Sequence, residues 1–219
     1  MLLRMTGQER REQLLDVGRA LFAERGYEST SIEEIAKRAA VSKPVVYEHF
    51  GGKEGLYAVV VDREMKRLLA RITDSLEQTH PKVMLEQAAI ALLTYIEDEQ
   101  PGFRILIRQS PVASTTGTFA SLIGDIASQV EYIFRGEFKR LGYDPKLAGL
   151  YSQALVGMVA LVGQWWLEEG KPSRDKVAAH LVNLAWNGLG NLDPSPTLNG
   201  KSPSAPNPAP AKVKVRAKT

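Results

Sequence analysis

Almost every segment before residue 193 repeats its apolar residues at spacings of three and four, and none sustains an alternation of apolar and polar residues. A spacing of three to four follows the helical turn, whereas a strand needs a period of two. The chain is therefore expected to be all-α. Leu14, Leu15, Gly18, Leu21 and Phe22 line a first helix, closed by Gly26. Ile32, Ile35, Ala36 and Ala39 line a short second helix, and Val46 and Phe50 a third. Leu56, Val59, Val60, Met65 and Leu68 mark a long fourth helix running from Lys53 to about Leu76. Pro81 then interrupts, and a fifth helix is expected over Met84–Glu99, closed by Pro101-Gly102. A short piece over Phe103–Gln109 is followed by helices over Thr118–Leu141, Pro145–Glu169 and Ser173–Leu189.

The two front turns carry the sharpest local signals. Thr30-Ser31-Ile32-Glu33 fits a capping box with Thr30 as the cap, so the second helix starts there. Pro44 tolerates the first turn of a helix but not its interior, so a new helix must begin at this point. Ser42 or Lys43 is its N-cap, and the sequence leaves both open. Two short helices joined by a tight turn form a helix-turn-helix, whose second helix enters the DNA major groove. Val46 and Phe50 share one face of that helix, and Lys43, Pro44, Tyr47 and His49 project the other way. Val45 offers methyl groups to a thymine methyl, Tyr47 an O–H, and Lys53 an ammonium to phosphate. A plain helical hairpin within a core is the other reading of this pattern; the exposed Tyr and His are what it explains least.

Charge placement supports contact with DNA, although the total hides it. The 219 residues carry a formal net charge of +3. Residues 1–72 hold 13 basic and 11 acidic residues, 73–193 hold 10 and 14, and 194–219 hold 5 and none. An acidic middle stays off DNA, and a basic end touches phosphates without reading sequence. Residues 194–219 hold six of the 12 prolines and few large apolar groups, so a disordered tail is expected. With no Cys and three scattered His, no thiol chemistry, metal site or cofactor is expected. Leu147 to Leu167 is free of charge but interrupted by Gly149, Gly157, Gly163 and polar residues, so a buried helix is expected and not a membrane span. No export signal is visible in the first residues, and with no Cys a cytoplasmic location is expected.

The run Leu14-Leu15…Ala20-Leu21-Phe22…Gly26-Tyr27…Thr30-Ser31-Ile32…Ile35-Ala36…Ala39…Val41-Ser42-Lys43…Val46-Tyr47…His49-Phe50…Lys53-Glu54-Gly55-Leu56 resembles the DNA-binding domain of tetracycline-repressor-like (TetR family) transcription regulators. The resemblance covers nearly all of that domain. It implies an N-terminal three-helix DNA-binding domain over residues 8–68, with a recognition helix at about 43–50. A long helix would join it to a larger C-terminal helical domain, residues 73–193, for effector binding and dimerisation. It further implies a sequence-specific regulator, most simply a repressor, that binds an operator in double-stranded DNA as a homodimer and is released by a small molecule. Such a protein works at the bacterial nucleoid. By the same resemblance Lys43, Pro44, Val45 and Tyr47 match major-groove positions. Thr30, His49 and Lys53 match backbone-holding positions, and the hydroxyls of Ser31 and Ser42 are counted with them.

The C-terminal domain offers less. The last two helices are the dimer candidates, through the small and polar stripe Gly149, Gln153, Gly157, Ala160 and Gln164 and through Leu181, Leu184, Ala185 and Leu189. Tyr95, Phe103, Arg104, Ile107, Tyr132 and Trp165 could line an effector pocket, with Arg104 drawing an acidic ligand; an aromatic stripe at helical spacing is more often core. An enzyme is not expected, because no phosphate loop, metal-spaced cluster or nucleophile elbow occurs. The alternative is a ligand-independent accessory or architectural DNA-binding protein that uses its basic tail.

Overall fold

In a computed structural model, residues 5–76, 80–108, 119–193 and 196 are described. The order is α1 (Gly7–Arg25), α2 (Ile32–Arg38), α3 (Lys43–Phe50), α4 (Lys53–Ser75), α5 (Pro81–Asp98), α6 (Gln100–Ile107), α7 (Phe119–Leu141), a 3-10 turn (Pro145–Leu147), α8 (Ala148–Glu169) and α9 (Arg174–Leu189). No strand occurs among the described residues. Apart from Pro196, the expected disordered tail lies outside them.

α1, α2 and α3 form a head around the buried side chains Leu14, Leu21, Phe22, Ile35 and Val46. The start of α4 closes it with Leu56 and with Tyr57, which packs edge to face on Phe22 and on Tyr27 with centroids 5.0 and 4.9 Å apart. α4 then leaves the head and enters a body of α5–α9. There α7 lies along α8, α9 along α5, and α6 bridges back to α1.

Several boundaries depart from the periodicity. Pro81 begins α5 and does not interrupt it, because the ring suits a first turn, and the His80 imidazole caps by accepting from Lys82 N–H. Pro101 likewise sits in the first turn of α6, so the break between α5 and α6 is Glu99 alone. The cap of α2 is Ser31, whose hydroxyl accepts from Glu34 N–H at 3.2 Å. Thr30 is buried instead, and its hydroxyl donates to the carbonyl of Gly26 at 2.8 Å. α3 starts after Ser42, which settles that open choice.

Gly51 closes α3 in the left-handed region (φ 71°), which glycine enters without strain. Behind this turn, a Cβ at Gly55 would lie 2.0 Å from the Phe50 carbonyl oxygen. Gly55→Ala is therefore expected to push α3 off α4 and destabilise the head by about 3 kcal/mol, read as a lower urea midpoint. An unchanged midpoint would show that this approach is slack.

Candidate nucleic-acid interface and effector cavity

The recognition helix is aimed by what it buries. Val46 is fully buried, and Val45 and Phe50 are half-buried against the same core. Lys43, Pro44 and Tyr47 are left exposed on the opposite face, Tyr47 at 54%. Val45 thus offers less surface to DNA than the helical wheel suggests. Lys43 forms an ion pair with Glu33 of α2, and its hydrogen bond holds the Glu33 carboxyl below the usual range.

Two further cations hold the motif's edges. The Lys53 ammonium donates to the Tyr27 carbonyl at 3.0 Å and lies 4.2 Å from the Tyr27 ring centroid. Arg11 was not singled out from the sequence. Its guanidinium donates to the His49 carbonyl at 2.5 Å and lies 4.3 Å from the Phe50 ring centroid, clamping the end of α3 to α1. His49 is half-buried at that clamp. Ser31 and Ser42 are exposed at the starts of α2 and α3. Thr30 is only 2% exposed with its hydroxyl engaged, so its side chain is removed from the candidate DNA surface.

The proposed effector residues are not brought together. Tyr95 and Phe103 are fully buried, while Tyr132 is 82% and Trp165 50% exposed. Arg104 pairs with Glu168 at 2.7 Å on the surface, and Ile107 packs half-buried at the core's edge. The cavity lies elsewhere, between α4, α5, α7 and α8, with a volume of about 100 Å³. Leu68, Ile72, Met84, Leu92, Ile126 and Val156 are among its walls, and all its lining residues are apolar. The sequence does not single this cavity out, because apolar cavity walls have the same periodicity as filled core.

The expected dimer stripe is only partly on open surface. A Cβ at Gly149 would lie 3.3 Å from the Glu131 carboxylate of α7, and Ala160 lines the cavity, so both face the chain's own body. Leu181 and Ala185 are buried beneath α9, while Gln164 and Leu189 are half-buried. Gln153, Gly157 and Leu184 do lie on open surface. An unpartnered, mainly apolar face is formed by Leu150, Ala154, Gly157, Leu161 and Trp165 of α8, and Leu184 is a further exposed apolar residue, on α9. Small residues allow close approach within a chain as readily as between chains, so composition alone does not separate the two. Pro145–Glu169 is long and apolar enough to cross a membrane by length and composition, and 28% of its most apolar window is buried within this chain. The expected burial is therefore only partly met by the chain itself.

A short exposed helix held by a second one, on a helical body with an apolar cavity, defines a helix-turn-helix DNA-binding regulator. The family model described as "Bacterial regulatory proteins, tetR family" matches residues 14–60. A second, "Tetracyclin repressor-like, C-terminal domain", matches residues 96–200. The HTH-type transcriptional activator FasR of Mycolicibacterium smegmatis is 30% identical over 195 residues, 86% of this chain and 87% of that one. A TetR-like transcriptional regulator from Rhodococcus sp. RHA1 superposes with a TM-score of 0.72 at 26% identity, covering 86% of this chain and all of the other. The fatty acid degradation regulator FadR from Bacillus halodurans shares the fold, with a TM-score of 0.68 at 18% identity over 82% of this chain and 96% of its own. The chain belongs to the TetR family. It is a DNA-binding transcriptional regulator of a family that is not enzymatic, whose members are cytoplasmic dimers that bind operators and small molecules.

Proposed function

We propose that residues 8–68 read an operator, and that residues 73–193 dimerise and bind an apolar effector that releases the protein from it. Repression follows if the operator overlaps a promoter, and the site of action is the nucleoid. The observation that carries this reading is α4, which leaves the recognition motif at Lys53 and supplies Leu68 and Ile72 to the cavity wall. An effector that fits one arrangement of α4 better than another shifts operator affinity by its differential affinity. Lys43, Pro44 and Tyr47 contact bases, Val45 a methyl group at most, and Ser31, Ser42, His49 and Lys53 hold the backbone. The apolar lining selects an aliphatic or aromatic body, with any polar head at the mouth.

Fragments selected from genomic DNA provide the operator, and anisotropy then measures release by fatty acids of graded chain length, used as apolar probes. Release of about 5–150-fold is expected from couplings of this kind. Ala88→Phe fills the cavity and is expected to abolish release while operator affinity stays. If Ala88→Phe responds to the probes like the parent, the cavity is not the effector site.

A further inference from the structure

Glu64 lies on the apolar side of α4, four residues from Val60 and four from Leu68, and is completely buried. Its carboxylate collects groups from both halves of the molecule. Tyr95 of α5 donates its hydroxyl to Glu64 Oε2 at 2.7 Å. Arg67, one turn along α4, donates to Oε1 at 2.9 Å. Arg19 of α1 places Nε 3.0 Å from Oε1, an ion-pair contact without hydrogen-bond alignment, and donates from Nη2 to Oε2 at 3.3 Å. The Arg19 guanidinium also pairs with Glu99, the cap of α6. A Cβ at Gly102 of α6 would overlap Glu64 Oε2 and crowd the Tyr95 hydroxyl, so α6 is pressed onto the same point. Burial, then the neighbouring carboxylate, push the Tyr95 phenol far above its usual range, so it stays a donor.

We propose that Glu64, Arg19 and Tyr95 are positioning residues for operator binding: they form the joint that holds the head at one angle to the body. This rests on the operator-binding reading above. The placement is what makes the joint responsive. Leu68 lies one turn from Glu64 on α4, and Leu92 one turn from Tyr95 on α5; both line the cavity. A molecule that spreads α4 from α5 at the cavity therefore lengthens the Tyr95–Glu64 hydrogen bond directly. The buried carboxylate then depends more heavily on Arg19, the one ligand contributed by the head. Arg108 supplies a second tie, donating to the Ala23 carbonyl at the end of α1 at 2.8 Å. α1 is thus gripped at two points one turn apart near its C-terminal end, so a change in the Glu64 cluster acts on the head there.

The chain has no cysteine, so two labels can be placed at will. Glu48→Cys on α3 and Asp125→Cys on α7, both exposed, carry spin labels, and labelled chains are diluted with unlabelled protein. The distance distribution is expected to be narrow in the parent and broad in Tyr95→Phe, which keeps the ring and removes one O–H. Glu64→Gln is expected to broaden it further. With unlabelled protein, both variants should bind a selected full operator about tenfold more weakly while a duplex with one half-site is bound as before, because misaligned heads lose the gain from linked sites. An unchanged distribution in both folded variants overturns the joint, as does a parallel loss on the operator and the half-site duplex. If the distributions broaden but the parent prefers no duplex, the operator reading falls and the joint between head and body stands.

Discussion

Leu161→Glu is expected to convert the protein to monomers and to lower operator affinity by about 10²–10⁴, the gain that two linked half-sites provide. Leu161 is 66% exposed in the middle of the apolar face of α8, with Leu150 and Trp165 on the same face. An interface built on this face is isologous, so each new carboxylate is buried near its twin and near the partner's apolar groups. Burial of an unpaired charge costs several kcal/mol, enough to dissociate a dimer of ordinary affinity. Sedimentation velocity reads the mass, and anisotropy on the selected duplex reads affinity. A variant that stays dimeric and binds as the parent does would place the interface on another face. Asp125→Asn is the control, because that exposed residue lies on α7, away from the apolar stripe.

Tyr47→Ala is expected to lower affinity for the selected operator at least about thirtyfold, because one base contact is worth about 1–3 kcal/mol and a dimer loses two. Lys43→Ala acts in the same direction, although part of its effect is offset. The parent must give up the Glu33 ion pair on binding, and the variant has none to break. Lys53→Ala differs in kind. Its ammonium is already tethered to the Tyr27 carbonyl and ring, so it presents a fixed charge and reads no base. That variant is expected to weaken all duplexes alike and to reduce the salt slope by about 1 per protomer. Binding curves on the operator and a scrambled duplex, at several salt concentrations, separate the cases. Equal losses on both duplexes in Tyr47→Ala would remove Tyr47 from base recognition.

The head was legible from the residues because its information is local. Pro44 forces a helix start, Gly51 permits its end, and Val46 against Tyr47 divides inside from outside. The same local reading slipped by one residue at Thr30 and Ser31. Both hydroxyls suit a cap, and only the packing of Thr30 onto the Gly26 carbonyl decides between them. Glu64 carried a signal that went unread, since an acidic residue within an apolar stripe must find partners. Arg67 is within reach on the same helix, but the partners from α1 and α5 lie 45 and 31 residues away, and no spacing rule connects those.

Helical periodicity, turn chemistry and the absence of cysteine were enough to establish an all-α chain with a DNA-reading front and no thiol chemistry. They depend on interactions within a few residues, which the order of side chains specifies directly. The apolar cavity, the outward apolar face of α8 and the joint at Glu64 were decided by tertiary packing alone. Each depends on how far one helix lies from another, and residues that fill a core, line a cavity or await a partner share one period of 3.6.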